Sequence, residues 1–94
     1  MKENVIVEIL SYVKDEFKEV VEKEVKEVST KFCSLTQDER DEYYNSNGLI
    51  SFLFDEEQFS FEIEEVVIDK NNNITVCELI CDYVFENLEE LNLE

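Results

Sequence analysis

The chain has 94 residues, 44 % of them hydrophobic, and a formal net charge of −17. This length suits one small domain, and the apolar content is too high for a disordered acidic tail, so we predict that residues 1–94 form a single acidic domain. With no His and a single Gly, the usual general base and any Gly-rich phosphate loop are excluded, and we expect no enzymatic activity.

The negative charge is concentrated in one part of the chain. The first 33 residues carry 8 acids and 6 lysines, whereas the residues from Ser34 onward carry 17 acids against Arg40 and Lys70 alone. A folded body with this field repels nucleic acid and anionic membranes and attracts basic protein surfaces. We therefore expect the partner to be a basic protein surface, with no direct contact to nucleic acid or membrane.

Composition also indicates where the protein works. The apolar run Val5–Leu10 is short and is interrupted by Glu8, so it predicts neither a signal peptide nor a membrane span. Three cysteines, an odd number, are typical of reduced cytosolic thiols. Because Ala, Pro, His and Trp are absent, we infer an AT-rich genome and predict a cytoplasmic protein of a low-GC bacterium or its phage.

The first predicted element is one long amphipathic helix from about Asn4 to Phe32. Its apolar residues recur every three or four positions, and Glu–Lys pairs four residues apart support its other faces. The apolar positions are Ile6, Leu10, Val13, Phe17, Val20/Val21, Val25, Val28 and Phe32. So long a helix in so small a domain suggests that one end projects or forms a homodimer with a second copy.

A shorter second helix follows, opened by Ser34 or Thr36. Thr36 and Glu39 have the spacing of a capping box, in which each residue bonds the backbone of the other. The segment 45–48 ends this helix, and we expect Gly48 to take a left-handed conformation there.

Two apolar segments then predict strands. Leu49–Phe54 is apolar on both faces, Phe59–Glu64 alternates strictly, and the phase slips before Val66–Ile68. Thr75 and Glu78 form a second capping-box pattern, although residues 74–77 could instead pair as a strand before the last helix. The predicted fold is therefore α+β, with a long N-terminal helix, a short second helix, a small antiparallel β-sheet of two or three strands and a C-terminal helix.

Two patterns resemble metal sites. Cys77 and Cys81 share one helical face, and with Cys33 and a carboxylate they could bind zinc, but small buried thiols are the favoured interpretation. The loop from Asp69 to Glu78 resembles an EF-hand, yet it is two residues short and has Ile74 where Gly is required. We predict no metal and no cofactor.

The acidic clusters are the candidate partner-binding residues. Carboxylates at intervals of about 5–7 Å on helices and strands would form a row of negative charge similar to a phosphate backbone. The alternative is a solvated acidic face with no binding role. The acidic row on the last helix, Asp82, Glu86, Glu89 and Glu90, could equally belong to such a face. The predicted partner-binding set is Asp38, Glu39, Asp41, Glu42, Tyr43, Asp55, Glu56, Glu57, Glu62 and Glu64. The neighbouring pair Tyr43 and Tyr44, beside the first cluster, is the favoured aromatic anchor.

In size, charge and exposed acidic clusters the chain resembles the small acidic anti-defence proteins of phages, namely anti-CRISPR and anti-restriction DNA mimics. The resemblance implies an inhibitor that occupies the nucleic-acid or PAM-reading groove of an effector nuclease, where Arg pairs are natural targets for carboxylates. Alternatives are an immunity protein or antitoxin that neutralises a basic toxin, a small secretion-type chaperone, and an enzyme or metal protein.

Overall fold

The computed structural model describes residues 2–55 and 57–92. Helices account for 78 % of these residues, and none of the described residues belongs to a sheet, so the α+β prediction is wrong and the protein is an all-helical globule. The described helices are α1 (Lys2–Ser11), α2 (Lys18–Cys33), α3 (Gln37–Asp41), α4 (Ser46–Asp55), α5 (Ile63–Val66) and α6 (Asn73–Asn92).

The core is built around α6, against which α1, α2, α4 and α5 all pack. Val76, Ile80 and Val84 recur every four residues along α6 and are fully buried. Because this spacing places them on one side of the helix, α6 presents a continuous apolar stripe to its neighbours. The buried apolar residues of all these elements form one cluster.

The predicted N-terminal helix is broken at residues 12–17. Val13 forms an isolated antiparallel bridge with Val67, and a short 3-10 turn at Asp15–Phe17 leads into α2. The Lys14 amide donates a hydrogen bond of 2.8 Å to the Val66 carbonyl, and the Ile68 amide donates one of 2.8 Å to the Tyr12 carbonyl. Contacts with a segment distant in sequence therefore replace the intrahelical hydrogen bonds at the break.

This break changes what the apolar stripe does. Ile6, Ile9 and Val13 from the first part and Val21, Val25, Val28 and Phe32 from α2 all lie in the same buried cluster. The stripe folds back on itself to fill the core of one molecule. The predicted long helix is therefore two helices, and the homodimer through it stays an untested prediction.

The predicted strand Leu49–Phe54 lies in α4. Leu49, Phe52 and Leu53 are buried whereas Ser51 is exposed, which is the burial pattern of a helix with one face in the core. The Gly48 amide donates a hydrogen bond of 2.7 Å to the Asn45 side-chain oxygen at the start of this helix. Gly48 does not have a positive φ, so the predicted left-handed turn is also wrong.

The predicted strand Phe59–Glu64 is also wrong, although its first part is an irregular segment outside any helix. The Ser60 amide donates to Glu24 Oε1 at 2.7 Å, and the Ser60 hydroxyl donates to Glu24 Oε2 at 2.5 Å. A carboxylate of α2 thus provides the acceptors that a neighbouring strand would have supplied. Glu64 lies in the short helix α5, which ends at Val66. Val66–Ile68 forms the isolated bridge to Val13 and its two flanking backbone hydrogen bonds, but no strand.

The last helix begins earlier than its predicted capping box. A 3-10 turn at Lys70–Asn72 precedes α6, and the Asp69 side chain accepts a hydrogen bond of 2.9 Å from the Asn71 amide. Thr75 is therefore already inside α6, and residues 74–77 are helical, not a strand.

Candidate partner-binding groove

Helix α3 carries the first predicted acidic cluster, and its capping box is present as predicted. The Thr36 amide donates to Glu39 Oε1 at 2.8 Å, and the Glu39 amide donates to Thr36 Oγ1 at 3.2 Å. These bonds satisfy backbone donors at the helix start. Glu39 therefore stabilises α3, and its carboxylate is already engaged within the fold.

The capping box changes the pKa of Glu39. Hydrogen bonds from the Thr36 amide and then from its hydroxyl lower the pKa of Glu39 below its ordinary value. The stabilisation is therefore present above the ordinary pKa and is lost as pH falls through the lowered one. Thr36→Ala keeps the amide and removes the hydroxyl, so we expect it to raise the pKa of Glu39 part of the way to its ordinary value, as measured by NMR titration of its side-chain carboxyl, while Thr36→Ser preserves the lowered pKa. An unchanged pKa in Thr36→Ala would contradict this assignment.

A groove of about 500 Å³ lies between α3 and α6, and we call it the α3–α6 groove. The apolar part of its lining, which we call its floor, consists mainly of the half-buried Phe85 and Leu88, because Phe32 is only 1 % exposed. Tyr44, which is 80 % exposed, also lines it, and its polar lining residues are Gln37, Arg40, Asp41 and Glu89. A cavity that combines apolar side chains with a few polar groups is the usual form of a recognition site.

The Arg40 side chain is held in place by hydrogen bonds within the protein. Its guanidinium donates to the carbonyls of Leu35 at 2.8 Å and Cys33 at 3.2 Å and to the Gln37 side-chain oxygen at 3.3 Å. Because these acceptors lie in the connection between α2 and α3 and at the start of α3, the one arginine of the chain braces that corner.

The two acidic residues of the groove, Asp41 and Glu89, are exposed to solvent. Asp41 Oδ1 accepts a hydrogen bond of 3.0 Å from the neutral Gln37 amide. Neither Asp41 nor Glu89 has an ion-pair partner among the described side chains. The ion pairs that the structure describes all lie between residues 15 and 27: Lys18–Asp15, Lys23–Glu27 and Lys26–Glu22.

The structure separates the two tyrosines beside the first cluster. Tyr43 is half-buried and its ring centroid lies 4.9 Å from that of Phe52 and 6.4 Å from that of Phe32, so this member of the predicted anchor pair is a core residue. Tyr44 is the exposed member of the pair and lines the groove. Asp38, Asp41 and Glu42 are exposed.

The remaining predicted residues lie elsewhere on the surface. Asp55 ends α4 and accepts a hydrogen bond of 2.6 Å from the Ser51 hydroxyl, and Glu57 is exposed with a φ of 54°. Glu56 lies outside the described residues. Glu62 and Glu64 are exposed, but Glu62 precedes α5 and Glu64 lies within it, so they do not share a strand face.

Helix α6 supplies groove residues that the predicted set lacks. Phe85, Leu88 and Glu89 follow one another at spacings of three and one, which places them on one side of the helix. The sequence shows this face, but nothing local shows that α3 lies opposite it. The structure brings one acid of the first cluster, Asp41, and one of the acidic row of α6, Glu89, to the same groove, which no local pattern in the sequence indicates.

The cysteines pack into the protein as thiols. Cys81 is buried, and burial raises its pKa to about 12; burial also raises the pKa of Cys77. In the described part of the chain, no group of three His, Cys, Asp or Glu side chains is placed to hold a metal ion. Over the same residues, no helix has the length and apolarity needed to cross a bilayer.

A second, larger groove of about 690 Å³ lies beside α2 and α6 and has, like the α3–α6 groove, a lining of mixed polarity. Lys26 on its wall is paired with Glu22 at 2.9 Å, and the Asn87 amide donates to the buried Ser29 hydroxyl at 2.5 Å. Lys26 and the Ser29 hydroxyl thus already have partners within the protein. None of the predicted partner-binding residues lines this second groove. The α3–α6 groove is therefore the stronger candidate site. Comparison of the chain with family models, curated proteins and solved structures found no match.

Proposed function

We propose that this protein is a stoichiometric inhibitor that binds the basic nucleic-acid groove of an effector nuclease in the bacterial cytoplasm, in the manner of anti-CRISPR and anti-restriction DNA mimics. Its acids take the place of phosphates, and the bound partner loses access to its nucleic acid. The observation that carries the proposal is that Asp41 of the first acidic cluster and Glu89 of the acidic row on α6 both line the α3–α6 groove, where Arg40 is the one cation among the lining residues.

The distribution of charge on the surface supports this role. Among the described residues every Asp and Glu is exposed except Glu22, Glu24 and Glu86, which are half-buried. The fold therefore directs nearly all of its negative charge outward. A basic groove that tracks a nucleic-acid backbone is complementary to such a field, and the attraction speeds encounter as well as binding.

The rigidity of the helices that carry the acids also supports mimicry of a phosphate backbone. The acids of α3 stand on a capped helix braced by Arg40, and Glu89 stands on the helix at the centre of the core. Charges on fixed elements keep their spacing when a partner approaches, which limits the entropy lost on binding. An immunity protein against a basic toxin would use the same surface, so identification of the partner decides between the two.

The test is capture of the partner by the tagged full-length protein from lysates of low-GC bacteria that contain defence nucleases. Washes would run from about 50 mM to about 500 mM salt, which screens charge pairs. We expect a nucleic-acid-binding nuclease to elute with salt, and the purified protein to displace a fluorescent DNA or guide–target duplex from it. Retention through high salt, or a captured toxin with no nucleic-acid substrate, contradicts the proposal.

Two variants of equal charge locate the contact. Asp41→Asn/Glu42→Gln/Glu89→Gln removes three charges at or beside the α3–α6 groove, and Glu8→Gln/Glu16→Gln/Glu19→Gln removes three exposed charges from the near-neutral N-terminal part. We expect the first variant to lose roughly tenfold or more in affinity for the captured nuclease and the second to lose far less. Equal losses would show that net charge, and not this surface, determines binding.

A further inference from the structure

We propose that the α3–α6 groove binds a guanidinium group, so that one arginine side chain of the partner lies on the apolar floor between the carboxylates of Asp41 and Glu89. This inference rests on the proposed function and adds the chemistry of the anchor. It predicts that the surface discriminates arginine from lysine, which a diffuse acidic face does not.

The first support is charge complementarity around an apolar floor. Asp41 comes from α3 and Glu89 from α6, and both line a groove whose floor consists mainly of Phe85 and Leu88, since Phe32 is only 1 % exposed. Two carboxylates beside a low-dielectric floor repel each other and are stabilised by a cation placed between them. Since neither carboxylate has an ion-pair partner among the described side chains, an incoming cation would supply the missing charge.

The second support is the exposed aromatic ring. Tyr44 is 80 % exposed although its neighbour Tyr43 packs into the core. A large aromatic side chain held at the edge of a groove offers a face to a cation, and arginine is the cation found most often on such faces. The combination of Tyr44, an apolar floor and two carboxylates is therefore specific in a way that the other acidic clusters are not.

The shape of the cation decides between arginine and lysine. A guanidinium is planar and weakly hydrated, so it can stack on a ring while its edges donate to carboxylates on either side. An ammonium is compact and strongly hydrated and loses more hydration on entering a groove with an apolar floor. The groove volume of about 500 Å³ suits a side chain and not a whole helix.

Arg40 also lines the groove, but its charge is directed elsewhere. Its Nη1 atom donates to two backbone carbonyls and its Nη2 atom to Gln37. Those acceptors are neutral, so Arg40 keeps its charge, but they hold its guanidinium, and it forms no ion pair with Asp41 or Glu89 among the described contacts. The edge of the groove thus already holds one guanidinium by oxygen acceptors and leaves two carboxylates for another.

The test compares hexaarginine and hexalysine peptides of equal charge as probes of the full-length protein. Calorimetry at about 50 mM salt would measure affinity, and amide NMR shifts would locate the site. We expect hexaarginine to bind about threefold or more tightly, as one exposed cation–π contact predicts, with the largest shifts at Tyr44, Leu88 and Glu89.

Matched variants make the test decisive. Asp41→Asn/Glu89→Gln and, separately, Tyr44→Ser should abolish the preference for hexaarginine, whereas Glu62→Gln/Glu64→Gln should lower both affinities and keep the preference. Equal affinity for both peptides, or shifts spread over all acidic surfaces, would overturn the inference. Capture and inhibition of a nuclease could still succeed in that case, so failure here is distinguishable from failure of the proposed function.

Discussion

Replacement of Phe32 by alanine is expected to lower the free energy of unfolding by about 3–5 kcal/mol, the usual cost of removing a buried aromatic ring. Phe32 is 1 % exposed, and its ring centroid lies 5.5 Å from Phe52, 6.4 Å from Tyr43 and 6.5 Å from Phe85. The cavity left by its loss would border α2, α4, α6 and the residues after α3 at once. No other ring among the described aromatic pairs has three partners.

Urea unfolding followed by circular dichroism measures this effect. Small domains are stable by only about 5–15 kcal/mol, and the net charge of −17 opposes compaction. Phe32→Ala is therefore expected to be largely unfolded at low salt and to refold partly as salt screens the repulsion. Phe59→Ala is the matched control, because that ring is half-buried. An equal loss in both variants would show that Phe32 does not hold the core together.

Replacement of Ile68 by proline is expected to cost about 1–3 kcal/mol, because it removes a backbone donor and leaves a carbonyl unpaired. The Ile68 amide donates to the Tyr12 carbonyl at 2.8 Å, which is one of the bonds that hold the break between α1 and α2. The Ile68 side chain is 65 % exposed and contributes little to packing. Val67 already has φ −79° and ψ 146°, the conformation favoured before proline.

The control for this backbone effect is Ile68→Ser, which also removes the side chain but keeps the amide. Amide hydrogen exchange at Lys14 and urea unfolding would both be measured. We expect exchange at Lys14 to accelerate in Ile68→Pro and to stay slow in Ile68→Ser. Proline and serine variants of equal stability would contradict the role assigned to this hydrogen bond.

The sequence predicted the helical character of the N-terminal part but not the break between α1 and α2. The stripe from Ile6 to Phe32 keeps its phase across residues 12–17, and no Gly or Pro interrupts it. The break depends on hydrogen bonds to residues 66–68, which no local pattern encodes. The capping box at Thr36, in contrast, is a purely local interaction and was predicted correctly.

The strand predictions failed for two different physical reasons. Leu49–Phe54 is a short apolar run, and periodicity alone cannot distinguish a buried strand from a buried helix. In the second segment the alternation of burial is real, since Phe59 and Phe61 are half-buried and Ser60 is exposed. The segment lacks a strand partner among the described residues, however, and Glu24 takes that place.

The sequence predicted that the candidate site is acidic, but it did not predict which residues come together to form it. Composition alone indicated that the acids of α3 are surface residues, and the structure places Asp38, Asp41 and Glu42 there. That Glu89 joins Asp41, and that Tyr44 and not Tyr43 is exposed, depends on how α3 packs near α6. Side-chain direction after a short helix is set by such tertiary contacts.

The packing of the first helix against the last has a consequence for biosynthesis. On the ribosome α1 emerges before its main neighbour α6 and before residues 66–68, which bridge to Val13. At about 5–20 residues per second, Ile6, Ile9 and Val13 spend seconds without their native partners. The acidic residues translated after Cys33 would keep these nascent chains apart by mutual repulsion until the fold can close.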